Sequence, residues 1–165
     1  MTPASPSPDL ARIGECALAE VVNTFLSPPA TVRDSANGSR VSIAPEQITS
    51  LVPLSGERLS GSVHLQLPSA FVAHAVKLLT GLDGNSVDGI AIQADAAGEL
   101  ANMVAGRVAA QLSANGYSCS LGTPSVIRGA VLPTMPEPGA DYGRTNLLCA
   151  GHSLWLEIQC RYKGL

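Results

Sequence analysis

The chain has 165 residues, of which 45% are hydrophobic and only 14% are charged, with a net charge of −3. This length suits one domain, and its core must be built mainly from Ala, Val, Leu and Ile because only 4% of the residues are aromatic. The sequence contains no run of Lys or Arg and no apolar segment of about 18 residues, which argues against a nucleic-acid partner and against a membrane span.

The N-terminal segment 1–9 is rich in Pro and Ser and is predicted to be a flexible arm before one domain at 10–165. It has neither a basic region nor an apolar run, so no secretory signal is predicted and a cytoplasmic location is expected. In a reducing cytoplasm the cysteines should be free thiols, and none of them forms a CxxC pair typical of a metal site. The cysteines are Cys16, Cys119, Cys149 and Cys160.

Helical and alternating patterns follow one another in the first half of the chain. Apolar residues recur at helical spacing after Asp9, which can cap a helix, and Pro28 stops that helix. Between Leu59 and Leu67 apolar and polar residues alternate, as in a half-buried strand. The predicted elements are a helix at 10–26, strands at 41–43, 48–54 (with a break at Pro53) and 59–67, a helix at 68–80 and a connection at 81–89.

The second half of the chain begins with a long helical pattern, which Asn115 and Gly116 end, and continues with strand patterns. A stretch rich in Pro and Gly precedes the last two strands and is predicted to be a surface loop. The predicted elements are a helix at 95–114, strands at 117–121 and 125–132, a loop at 133–142, and a hairpin of strands 146–150 and 154–161 that turns at 151–153.

The order helix, strand, proline, strand, strand occurs twice, at 10–67 and at 95–161. A repeated order of this kind predicts two related halves whose strands join in one sheet. The predicted fold class is therefore α/β, of the α+β kind, with a mixed β-sheet in a single domain and long helices packed on it.

One face of the helix predicted at 95–114 has an unusual composition for a surface. At about 100° per residue, one line along the helix axis holds four residues, Asp95, Glu99, Asn102 and Gly106, which we call the polar strip. Past the polar strip the same face holds only Ala and Ser, where an ordinary solvated helix would carry Lys, Glu or Gln. A flush face lets the backbone of another protein approach closely. The opposite, apolar face consists of Ala97, Leu100, Ala101, Val104, Val108 and Leu112.

A family resemblance rests on this helix. Asp95, Glu99 and Asn102, followed after twenty-one residues by Pro124, resemble the signature of the CheC, CheX and FliY phosphatases of bacterial chemotaxis. All four signature positions match, which chance alone should produce in roughly one chain of this length in several hundred. The stretch 98–106 resembles the CheX branch most closely, and a single full motif also favours CheX over CheC, which usually carries two.

The resemblance implies an enzyme that hydrolyses the aspartyl phosphate of a CheY-like receiver domain and so ends a two-component or chemotaxis signal. Asn102 would orient the attacking water, as a glutamine does in small GTPases, and Glu99 would pair with the active-site lysine of the receiver. Asp95 and Gly106 would lie against the receiver. Mg²⁺ would be held by the receiver, so no cofactor and no metal are expected on this chain. The CheX branch also implies a homodimer joined through the sheet edge.

The first helix carries a partial copy of the motif. Glu20 and Asn23 are followed after twenty-one residues by Pro45, and Cys16 occupies the Asp position. The predicted helix ends about one turn after Asn23, so this copy has no long flush face. We interpret it as a relic of the repeat and as a candidate for a degenerate second site.

Simpler interpretations of the same residues stay open. Glu99 and Asn102 fit a solvated helix face, and Asp95 fits a helix cap or a favourable first-turn charge. Gly106 fits close helix packing, and Pro124 fits a boundary between two strands. Two other functions also stay open, a non-catalytic module that binds a receiver domain and an adaptor of the flagellar-switch type.

Overall fold

Three helices and seven strands make up the part of the chain that the computed structural model describes, residues 7–25, 31–34, 46–129 and 135–164. The helices are α1 (Leu10–Phe25), α2 (Ser69–Thr80) and α3 (Val87–Ala114). The strands are β1 (Thr31–Asp34), β2 (Gln47–Ser55), β3 (Leu59–Pro68), β4 (Ser120–Leu121), β5 (Ser125–Gly129), β6 (Asp141–Cys149) and β7 (His152–Tyr162).

All seven strands form one sheet in the order β1, β6, β7, β3, β2, with β4 and β5 both paired to the outer edge of β2. The predicted α+β class is confirmed, but the expectation of a mixed sheet is wrong, since every pairing among the described strands is antiparallel. Two of these pairings, β2 with β3 and β6 with β7, are hairpins, which are antiparallel by construction.

The two halves of the chain are arranged symmetrically in this sheet, as the repeat predicted. β3 pairs with β7 at the centre, β2 and β6 flank them, and each half supplies the edge strand beside the hairpin of the other half. If each strand is replaced by its counterpart in the other half, the same strand order results, read from the opposite edge of the sheet. α1 packs on β6 and β7, while α3 packs on β2, β5 and β3. The two motif-bearing helices thus lie side by side in related positions.

The core lies between the sheet and the helices. Leu18 of α1, Phe71 of α2 and Leu100 of α3 line the same small cavity together with side chains of β3 and β7. These three residues are at most 3% exposed. Because side chains of all three helices meet in this cavity, the helices cover the same face of the sheet. Full burial of one such side chain stabilises the folded state by about 1.5–3 kcal/mol.

α3 begins earlier than the sequence predicted, at Val87 rather than at residue 95. Ser86 caps the helix, because its hydroxyl accepts a hydrogen bond of 3.0 Å from the backbone N–H of Gly89. A Cβ on Gly89 would lie only 2.1 Å from the carbonyl oxygen of Asp83, so this glycine permits the tight entry to the helix. The predicted connection at 81–89 is therefore wrong over its last three residues.

β2 runs through Pro53, where the sequence predicted a break. Pro53 pairs with Ser62 of β3, and its carbonyl oxygen accepts a hydrogen bond of 2.8 Å from the backbone N–H of Gly122. The neighbouring edge is itself interrupted between β4 and β5, which is where a sheet tolerates proline. Pro124 lies in that interruption and directly precedes β5, in agreement with its structural interpretation.

The closing hairpin is longer than predicted. β6 begins at Asp141 and β7 at His152, and only Ala150 and Gly151 separate them. Both have positive φ, 48° and 79°, as a two-residue hairpin turn requires. This shortens the predicted loop at 133–142 and corrects the turn predicted at 151–153.

Other predictions are settled only in part. Asp9 caps α1 as predicted, since its carboxylate accepts a hydrogen bond of 3.1 Å from the backbone N–H of Arg12. All four cysteines are free. Of the strand predicted at 117–121, only β4 forms. The strand predicted at 41–43, the end of the strand predicted at 125–132 and most of the predicted arm lie outside the described residues.

Candidate functional site

The polar strip lies on the outer face of α3, as the helical spacing predicted. Asp95 and Glu99 are exposed, and Asn102 and Gly106 are half-buried. The opposite face is buried against the sheet, and its residues are at most 3% exposed. Because burial of the apolar face fixes the rotation of the helix, the carboxylate of Glu99 and the amide of Asn102 are presented together, about one turn apart.

Asp95 is not at the start of a helix. α3 begins at Val87, so Asp95 lies about two turns inside it, and the N-cap is Ser86. The interpretation of Asp95 as a cap or a first-turn charge is therefore wrong. Asp88 is the acidic residue of the first turn. The exposed carboxylate of Asp95 instead extends the polar strip by one turn before Glu99.

Within the described part of the chain, no neighbouring atom requires residue 106 to lack a Cβ. A Cβ built on it meets nothing within 4 Å, whereas a Cβ on Gly98 would lie 3.4 Å from Cγ2 of Val126 on β5. A glycine inside a helix costs about 0.5–1 kcal/mol relative to alanine, so a glycine without an internal neighbour needs another reason. Open space above Gly106 is consistent with the approach of a partner.

A hollow of about 330 Å³ opens beside Asn102, between α1 and α3. Its floor is mostly apolar, and Phe25, at the end of α1, is 46% exposed there. This hollow could not be predicted from the sequence, because it depends on how the two helices lie side by side. Its described lining consists of Val21, Thr24, Phe25, Asn102, Met103, Gly106 and Arg107, which together are called the α1–α3 hollow below.

The partial motif on α1 has different surroundings. Glu20 forms an ion pair with Arg107 of α3, with 3.3 Å between Oε1 and Nε. Asn23 is exposed in the last turn of α1. Pro45 lies outside the described residues, but it precedes the inner strand β2 in sequence, whereas Pro124 precedes the edge strand β5.

A polar cluster on the helix-free face of the sheet is a second feature that the sequence analysis missed. Arg144 pairs with the buried Glu157 (3.2 Å, Nε to Oε1) and covers the ring of Trp155 at 4.1 Å. His64 Nε2 lies 2.9 Å from the hydroxyl of Ser62. Burial lowers the pKa of His64, and the Glu157 carboxylate opposes this in part. Only the pairing of β3, β6 and β7 brings these residues together, so no local spacing could have revealed them.

Two general properties of the described residues bear on the site. No group of three or more His, Cys, Asp or Glu side chains within the described ranges could hold a metal ion. None of the helices α1, α2 and α3 is long and apolar enough to cross a membrane.

Comparison with known protein families decides the family. Residues 48–139 match the profile of the family described as Chemotaxis phosphatase CheX. The chain belongs to this family. The matched region begins in β2 and contains the whole polar strip and Pro124, while Glu20 and Asn23 lie outside it. The resemblance on which the sequence analysis rested is thereby confirmed.

Solved structures similar to this CheX-family chain share its fold. CheX from Vibrio vulnificus is 17% identical with a TM-score of 0.79, and the match covers 93% of this chain and 100% of that chain. CheX in a CheX–CheY–BeF3–Mg²⁺ complex from Borrelia burgdorferi is 17% identical with a TM-score of 0.67, over 93% and 98% of the chains. FliY from Thermotoga maritima is 21% identical with a TM-score of 0.59, over 94% and 92%. No curated protein sequence matches the chain.

Proposed function

We propose that this chain hydrolyses the aspartyl phosphate of a CheY-like receiver domain. The observation that carries the proposal is the polar strip, in which Glu99 and Asn102 project side by side from a flush helix face of a CheX-family chain. The similarity to a CheX that is found in complex with CheY supports a partner of the CheY type.

The proposed reaction needs one water, the groups of two proteins and the Mg²⁺ that the receiver would hold. The receiver supplies the acyl phosphate and the Mg²⁺ that neutralises it. The Asn102 amide enters the active site of the receiver and orients a water for in-line attack on phosphorus. The bond between phosphorus and the aspartyl oxygen breaks, which releases inorganic phosphate and the free carboxylate. An amide suits this role because it donates and accepts hydrogen bonds without titrating.

Glu99 has the proposed role of setting the docking position. Its exposed carboxylate is the nearest charged group on the polar strip to Asn102, and a lysine ammonium of the receiver is its natural partner. Asp95 and Gly106 extend the contact on either side. No covalent intermediate on this chain is required.

The test of the proposal is phosphate release from a Mg²⁺-loaded, phosphorylated CheY-type receiver, compared between the wild type and Asn102→Ala. Wild type should accelerate release, and Asn102→Ala should lose the acceleration while still binding the receiver loaded with BeF3 and Mg²⁺. If the variant accelerates release as well as the wild type does, the proposed role of Asn102 is wrong.

The second candidate is a module that binds a receiver without hydrolysis, or an adaptor of the flagellar-switch type. The similarity of the fold to FliY supports this second candidate function. Such a protein would bind the BeF3-loaded receiver, and yet phosphate release would proceed at the rate of the receiver alone. The same assay therefore separates the two candidates. The homodimer and the cytoplasmic location stay predictions.

A further inference from the structure

We infer that the α1–α3 hollow receives an apolar side chain of the phosphorylated receiver, and that it sets the affinity for the receiver rather than the rate of hydrolysis. The inference rests on the proposed function, which it deepens by adding a second helix to the docking surface. Four observations carry it.

The first observation is the exposure of Phe25. The chain has only two phenylalanines, of which Phe71 is buried in the core at 1% exposure, while Phe25 is 46% exposed at the edge of the hollow. When a partner covers a large apolar side chain that was exposed to water, the free energy falls, and this favours binding. The residues that contribute most binding energy at protein interfaces lie in well-packed pockets and include the aromatic residues Trp and Tyr.

The second observation is the distribution of polarity. Phe25 and the partly exposed Met103 contribute apolar surface to the hollow, and the ion pair between Glu20 and Arg107 stands at its rim. The side chains of this pair are 50% and 55% exposed, so water reaches the rim while the floor is apolar. An apolar centre with a solvated polar rim is the usual organisation of a protein interface.

The third observation is continuity with the polar strip. Asn102 and Gly106 line the hollow and also belong to the strip. A receiver whose phosphoaspartate meets Asn102 must lie over these residues, because a standard interface covers about 800 Å² of each partner. The hollow is therefore inside the area that such a receiver would cover.

The fourth observation identifies the occupant. A Cβ on Gly106 would meet nothing within 4 Å, so the backbone of α3 is open to the approach of a partner at the edge of the hollow. A second copy of this chain seated there would cover Asn102 and exclude the substrate. A receiver domain is the occupant that uses both the strip and the hollow.

The experiment measures two quantities, the affinity for a CheY-type receiver loaded with BeF3 and Mg²⁺, and the KM and kcat of phosphate release from the phosphorylated receiver. Phe25→Ser should weaken binding and raise KM by about tenfold, with kcat changed by less than about twofold. Met103→Ser removes apolar surface from the α3 side of the hollow without touching the polar strip and should have the same effect. The matched control is Leu79→Ser, since Leu79 at the end of α2 is 48% exposed and does not line the hollow.

The outcomes separate this inference from the proposed function. If the wild type binds and hydrolyses, and Phe25→Ser and Met103→Ser both behave like Leu79→Ser, the inference is overturned while the phosphatase proposal stands. If the wild type binds without hydrolysis and the two variants bind more weakly, the hollow is supported and the phosphatase proposal is wrong. If the wild type binds none of several activated receivers, both are overturned. Thermal unfolding of each variant shows whether it is folded.

Discussion

Glu20 of α1 and Arg107 of α3 form an ion pair of 3.3 Å beside the amide-bearing face of α3. Glu20 is the residue that the sequence placed in a degenerate second site, and the structure gives it a partner on the neighbouring helix. The carboxylate of Glu99, the corresponding residue on α3, is exposed on the outer face of its helix. The two copies of the motif therefore differ in their surroundings.

The two motif asparagines should contribute unequally to hydrolysis. Asn102→Ala is expected to lower kcat by about a hundredfold or more, because a poorly oriented water attacks much more slowly. Asn23→Ala, the matched variant on α1, should leave kcat within about twofold of the wild type. Single-turnover phosphate release measures both. A comparable loss in the two variants would mean that α1 carries a second active site.

Glu99 should act on the affinity for the receiver more than on the rate of the chemical step. Glu99→Ala is expected to raise KM by about tenfold, since it removes a charge-assisted contact with a lysine. Glu99→Gln keeps the shape without the charge and should recover only part of the loss. The KM of the wild type should rise with salt concentration and that of Glu99→Ala much less, because salt screens the lost attraction. Equal salt dependence in both proteins would contradict the charge pairing.

Gly106→Ala should stabilise the fold and weaken receiver binding. The new Cβ meets nothing within 4 Å, and alanine favours a helix interior by about 0.5–1 kcal/mol over glycine. The matched control is Gly89→Ala, whose Cβ would lie 2.1 Å from the Asp83 carbonyl oxygen and should destabilise the fold by about 1–3 kcal/mol. Urea unfolding measures the free energy of unfolding of the two variants, and titration with a receiver loaded with BeF3 and Mg²⁺ measures the affinity of Gly106→Ala. A less stable Gly106→Ala variant would show that this glycine has a packing role.

The ion pair between Glu20 and Arg107 should contribute little to stability. Both side chains are about half exposed, at 50% and 55%, so water screens their attraction. Arg107→Ala is expected to lower the free energy of unfolding by less than about 1 kcal/mol. Urea unfolding at low and high salt checks this. A loss well above that value would mean that the pair holds α1 against α3.

His64 should make the stability of the protein dependent on pH. Burial lowers its pKa in the folded protein, and Glu157 opposes this less strongly. As the pH falls below about 6.5, the unfolded chain therefore binds a proton at this histidine more readily than the folded protein, and stability is lost. The loss continues until the pH passes the lower pKa of the folded state.

Thermal unfolding of the wild type and His64→Gln at pH 7.5 and 5.5 tests this expectation. The Tm of the wild type should fall more on acidification than that of the variant. Burial lowers the pKa of His152 as well, and that contribution stays in both proteins. Equal losses would show that protonation of His64 does not oppose folding.

Much of α3 could be predicted from the sequence, because its pattern is local. The spacing of Leu100, Val104 and Val108 fixes which face meets the sheet, and the positions of Glu99 and Asn102 on the outer face follow from it. The start of the helix could not be predicted. The glycines at 84 and 89 look like a loop in sequence, and only their close packing in the structure explains why they are compatible with a helix that begins at Val87.

By itself, then, the sequence determined the fold class, the repeat of its two halves, the polar strip and the resemblance to the CheX family, since these rest on residue types at fixed local spacing. Only the tertiary structure decided the antiparallel sheet, the ion pair of Glu20 with Arg107 and the α1–α3 hollow. These depend on contacts between residues far apart in the chain, such as Phe25 and Met103, and helix periodicity sets the face of each helix without setting which helix lies beside it.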